Sequence, residues 1–171
     1  MKVHVVNKRS FDQLMVMNNI TDENVEQRDN MFLISIIGTD TDNPYADNPD
    51  HAEQWAQQMG HYFKEDHENV MNLEFDDVEN DGGIDPMGIV HRTKAFSTKQ
   101  AEKLFKFIEK NRDKEQCIVH CMAGVSRSGA VGEFINGYAQ GDWATFKRMN
   151  PQILPNGRVL RMLNAAKYNN Y

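Results

Sequence analysis

The chain has little cysteine and no long apolar run, and each shortage narrows what it can be. Of its 171 residues only Cys117 and Cys121 are cysteines, so there is no disulfide framework. Four strand residues would hold those two about 13 Å apart, too far to pair. A free thiol suits a reducing compartment, and a cytoplasmic location is expected. No apolar stretch approaches the roughly 20 residues that span a bilayer, so no membrane is expected as a partner. The opening residues, 1–7, turn polar too soon to read as a secretory signal. A formal net charge of −6 gives no general footprint for nucleic acid or an anionic surface. No His, Asp, Glu or Cys cluster has metal-ligand spacing: His61 and His67 lie six apart rather than four, and with His51 they read as surface residues. Neither a metal nor another cofactor is expected.

What is present fits an ordinary globular protein, with 40% apolar and 26% charged residues. The length suits one domain, 1–171, expected to act as a monomer. Residues 3–6 read as a strand. Ser10 and Gln13 have the form of a capping box for a helix carrying Leu14, Met15 and Met17. The continuous apolar run 31–37, ending at Gly38, reads as a strand buried on both faces. The Pro- and Asp-rich stretch 39–50 is a loop. A second capping box at Asp50 and Glu53 predicts a helix through Trp55, Met59, Tyr62 and Phe63 to about residue 68. Residues 70–75 alternate as a strand, and 80–86 are turn-like. Ser97 and Gln100 cap a helix with the apolar stripe Ala101, Leu104, Phe105 and Ile108. Helices are also predicted from Ala130, over 142–149 and over 156–168. Strands alternating with helices predict a single-domain α/β fold, a largely parallel sheet flanked by helices, with ligands beyond the carboxyl ends of the strands.

The chemistry concentrates in Val119-His120-Cys121-Met122-Ala123-Gly124-Val125-Ser126-Arg127-Ser128-Gly129. A strand, a loop of small residues and a helix N-terminus form an anion cradle of inward amides and positive dipole. A cysteine at its base has its thiolate stabilised, and Arg127 supplies a fork for two phosphate oxygens. That equipment suits transfer of a phosphoryl group onto sulfur. Met122, Ala123, Gly124, Val125 and Ser126 would then hold phosphate with Arg127. Gly124 lets the backbone bend without a Cβ. The hydroxyl of Ser128 is placed to assist the Cys121 sulfur or to cap the helix.

The segment 120–128 resembles the His-Cys-x5-Arg-Ser/Thr signature of the cysteine-dependent protein phosphatases, and is most similar to the dual-specificity branch. The resemblance implies that Cys121 is the nucleophile and that His120 orders the loop. It also implies an upstream aspartate as general acid, following an apolar-x-apolar-x-Asp strand. Leu73-Glu74-Phe75-Asp76-Asp77 fits with Asp77 in that position. The interval from Asp77 to Cys121 is longer than the compact family pattern, with the excess around 80–93. Asp76, Asp81 and Asp85 therefore stay open as alternatives, and segment 80–93, with His91 and Arg92, is the expected wall of the crevice. The neutral loop residues Met122, Ala123 and Val125 favour a single-phosphate ester, a phosphorylated protein side chain or a small phosphomonoester. A phosphate-binding module without turnover is the alternative, and a rhodanese-like sulfurtransferase or an arsenate reductase a more distant one.

Overall fold

The computed structural model describes residues 1–39, 48–84 and 86–170. Four strands, β1 (Lys2–Asn7), β2 (Met31–Ile37), β3 (Val70–Glu74) and β4 (Gln116–Cys121), form one sheet in the order β1-β4-β2-β3. All neighbouring pairs are parallel, so every strand delivers its carboxyl end to the same rim. Among the described residues six α-helices flank the sheet: α1 (Lys8–Met17), α2 (Pro49–Met59), α3 (Thr98–Lys110), α4 (Arg127–Tyr138), α5 (Trp143–Met149) and α6 (Gly157–Asn169). The expected fold class, a parallel sheet with helices around it, is the one observed.

Alternation along the strands divides the core in two. Phe32, Ile34 and Ile36 of β2 join Cys117, Val119 and Cys121 of β4 in a cluster built with α3, α4, α5 and α6. Leu33 and Ile118 face the other way, against Phe11 and Met15 of α1 and against Phe63. Each fully buried side chain of this size contributes about 1.5–3 kcal/mol through the apolar surface it removes from water. The N-terminus of α4 reaches the rim closely because its first turns are small residues. A Cβ on Gly132 would stand 2.5 Å from Cγ2 of Val5.

Ser97 and Gln100 form the predicted reciprocal capping box on α3. The predicted helices α5 and α6 start on side-chain caps from Asp142 and Asn156. Other local signals are overruled. Asn7, not Ser10, caps α1: its side chain accepts from the Ser10 amide at 2.8 Å. The cap of α2 is Asn48, with Pro49 in the first helical turn. The helix expected to run to about 68 ends at Met59 with Gly60 as its cap. Beyond it the chain turns inward so that Phe63 fills the second core cluster, while the Tyr62 hydroxyl donates to the Ile20 carbonyl at 2.9 Å. Nor are His61 and His67 surface residues. Their side chains are 12% and 9% exposed, with His67 Nε2 2.8 Å from Asp22 Oδ1. The predicted loop 39–50 lies mostly outside the described residues.

Candidate active site

Cys121 is the last residue of β4, and α4 begins six residues later at Arg127. Between them the chain folds into a loop whose tightest point is Gly124, at φ +69°. There the backbone lies so close to β1 that a Cβ would meet Val6 C at 2.5 Å and Asn7 N at 2.6 Å. Neighbouring segments lock the loop in place. The Lys8 amide donates to the Met122 carbonyl at 3.2 Å, and the Leu154 and Asn156 amides donate to Val125 and Ser126 carbonyls at 3.1 Å each. The Gln152 amide group bridges the carbonyls of Val5 and Gly124.

At the base of the loop the Cys121 sulfur lies 3.1 Å from Ser128 Oγ. Burial alone would push its pKa up. The Ser128 hydroxyl, the amides of Ser128 and Val125 and the charge of Arg127 outweigh that effect and hold the thiol below its ordinary value. Cys117 is the contrast. It is fully buried on the same strand with no such donors, and burial drives its pKa well above the ordinary value. Ser128 is itself fully buried. It therefore faces the sulfur rather than capping the helix; Ser126 holds the cap position, without a side-chain cap bond.

Arg127 is partly buried beneath the rim. One guanidinium nitrogen, Nη1, donates to the Phe75 carbonyl at 2.9 Å, tying it to the end of β3. Its Nε is buried and makes no hydrogen bond among the described residues. Such a group is costly unless something occupies the site.

The three described aspartates considered for the acid role separate clearly. Asp76 is pinned on both oxygens: it accepts from the Thr39 amide at 3.0 Å, the Lys94 amide at 2.7 Å and the Thr39 hydroxyl. Asp81 accepts from the Ala95 amide at 2.9 Å. Asp77 is exposed and turned to the loop. Its Oδ1 accepts from Ser126 Oγ and from Asn156 Nδ2, each at 2.8 Å. Asp85 lies outside the described residues. Sequence reasoning missed Asn156, whose side chain caps α6 through Oδ1 while holding Asp77 through Nδ2. The cap was legible; the link to Asp77, 79 residues away, was not.

A cavity of about 200 Å³ beside the loop is lined by Gly38, Thr39, Trp55, Met59, Asp76 and Met122. α2 supplies one side of it through Trp55 and Met59, and no described residue of segment 80–93 lines it. That segment pairs with itself, the Gly82 amide donating to the Thr93 carbonyl and the His91 amide to the Gly83 carbonyl. His120, next to Cys121 on β4, is fully buried, with its ring 4.3 Å from that of Phe11. Burial dominates the fall of its pKa to about 3, so it is neutral near pH 7.

No family model matches the chain, and no curated protein matches it. Among solved structures it is similar to one described as Tk-PTP in the active form. The identity is 16% over 86% of each chain, with a TM-score of 0.42. A likeness that distant bears on no residue of the site.

Proposed function

We propose that the chain is a cysteine-dependent phosphatase of the protein-tyrosine or dual-specificity type, hydrolysing a single-phosphate ester through a thiophosphoryl intermediate on Cys121. The observation that carries this reading is the Cys121 sulfur, held below its ordinary pKa by the Ser128 hydroxyl and two loop amides beside the charge of Arg127. The loop amides and Arg127 bind the phosphoryl oxygens, and the unpartnered Nε of Arg127 gains an acceptor. The thiolate attacks phosphorus, forming the S–P bond as the ester P–O bond breaks. Asp77, with Oδ1 taken by two donors, delivers its proton from Oδ2 to the leaving oxygen. The resulting carboxylate accepts a proton from water as water attacks phosphorus. The S–P bond then breaks and Ser128 donates to the departing sulfur. His120 orders the loop and takes no proton.

Trp55, Met59 and Met122 supply an apolar wall next to the phosphate cradle, which favours an aryl leaving group and so phosphotyrosine over phosphoserine. A phosphorylated protein side chain is the proposed substrate, in a reducing compartment such as the cytoplasm. Hydrolysis of a simple aryl phosphate across pH tests the reading. A bell-shaped kcat/KM is expected, and Cys121→Ser should bind the ester without turning it over. Phosphate binding by the wild type with no turnover at any pH would leave a binding module instead.

A further inference from the structure

The strand alternation that sends Cys121 into the main core sends its neighbour His120 to the opposite face, where Ser35 and His61 wait. His61 Nδ1 lies 2.6 Å from Ser35 Oγ, and Ser35 Oγ lies 2.7 Å from His120 Nε2. His120 Nδ1 in turn lies 3.4 Å from the Cys121 carbonyl oxygen. Ser35 and His120 are wholly buried, so solvent cannot substitute for any link. One hydroxyl proton serves two ring nitrogens, which means one of the rings must donate to Ser35.

The far end of the row decides which. A carbonyl only accepts, so the Cys121 contact is a hydrogen bond only when His120 Nδ1 carries the proton. His120 Nε2 is then the acceptor, the Ser35 hydroxyl donates to it, and His61 Nδ1–H donates to Ser35. With the opposite polarity, a lone pair on His120 Nδ1 would face the carbonyl lone pairs. The first peptide of the loop would be pushed away from the geometry that aims the loop amides at sulfur.

We propose that Ser35 and His61 are positioning residues: with His120 they form a one-directional relay that fixes the His120 Nδ1–H tautomer and, through the Cys121 carbonyl, the phosphate loop. This rests on the reading of Cys121 as the nucleophile. Burial, with the charges around them acting in the same net direction, keeps both rings neutral, as the relay requires. Burial and then Lys8 hold His61 down to about 4 against the opposing pull of Asp66. Its outer nitrogen, Nε2, makes no hydrogen bond among the described residues and stands 3.9 Å from Glu74 Oε1. Around His120, burial leads; Lys8, His61 and Arg127 act in the same direction, and the bond to Cys121 opposes them.

The full chain labelled with ¹⁵N tests this directly. Long-range ¹⁵N–¹H spectra of the wild type should show His120 protonated at Nδ1 and bare at Nε2. In His61→Leu and Ser35→Ala, that tautomer should become mixed. Alkylation of Cys121 by iodoacetamide at pH 6, and kcat for an aryl phosphate, should each fall about three- to tenfold with KM little changed. His61→Asn, whose side-chain amide nitrogen sits near the position of Nδ1, should restore both. A wild-type His120 protonated at Nε2 overturns the proposal, even if no variant folds. So does a folded His61→Leu or Ser35→Ala whose tautomer and alkylation profile match the wild type. Absence of aryl phosphate turnover in the wild type would overturn the catalytic reading, and the tautomer and alkylation readouts would still decide the relay.

Discussion

Replacing Gly124 with alanine isolates the geometry on which the loop between β4 and α4 depends. The residue sits at φ +69°, where a Cβ costs about 1–2 kcal/mol against the following carbonyl. The added carbon would also fall 2.5, 2.6 and 2.7 Å from Val6 C, Asn7 N and Val6 O. All three are backbone atoms at the end of β1, so no side chain can swing aside. Overpacking of this kind costs about 1–3 kcal/mol, which brings the expected destabilisation to about 2–5 kcal/mol. For a chain of this size each kcal/mol lowers the Tm by about 2–4 °C, so a drop of roughly 4–20 °C is expected in thermal unfolding followed by circular dichroism. Gly137→Ala is the control. Gly137 is an exposed position in α4 with open space at its Cβ, and alanine there should stabilise by about 0.5–1 kcal/mol. A Gly124→Ala protein melting within about 2 °C of the wild type would refute the close approach of loop and β1.

Other expected outcomes are as specific. Asp77→Asn should slow turnover of esters with poor leaving groups by about 10²–10⁴-fold and of good leaving groups far less; equal effects on both would move the acid role elsewhere. Removing the Ser128 hydroxyl as Ser128→Ala deletes a hydrogen bond to a charged sulfur, about 1.5–3 kcal/mol. The thiophosphoryl intermediate should then accumulate in a rapid-quench burst, and an unchanged steady state would contradict the assignment. Trp55→Ala should raise KM for an aryl phosphate more than for an alkyl phosphate; identical changes would remove α2 from the substrate wall. Stability should also fall in acid. His120 has a pKa of about 3 when folded against about 6.5 unfolded. Below pH 6.5 the unfolded chain therefore binds a proton that the folded one refuses. The stability present above that pH should decline by about 1.4 kcal/mol per pH unit toward pH 3 from this group. His61, lowered to about 4, adds a similar slope over the same range, so urea midpoints at pH 7, 6 and 5 should fall more steeply in the wild type than in His120→Asn.

How far the sequence reaches depends on how local each determinant is. The strand, loop and helix around Cys121 and the Ser97 capping box are contiguous patterns, and they read correctly. Residues 50–68 misled because Tyr62 and Phe63 fall at helical spacing from Trp55 and Met59. The second core cluster that claims Phe63 is assembled from α1, β2 and β4 and leaves no local trace. The adjacent acids Asp76 and Asp77 are indistinguishable as letters. Only the fold brings Thr39 and Lys94 to one of them and Ser126 and Asn156 to the other. The same holds for His61, whose partner Ser35 lies 26 residues upstream on a strand that reads as uniformly apolar core.

The rate at which iodoacetamide modifies Cys121 as a function of pH, with and without inorganic phosphate, bears most directly on the whole account. Buried Cys117 should stay unmodified, so the labelled peptide reports one site. Modification that persists well below the range of an ordinary thiol, and that phosphate suppresses saturably, is the predicted result. A rate that climbs only through the ordinary thiol range, indifferent to phosphate, would contradict it.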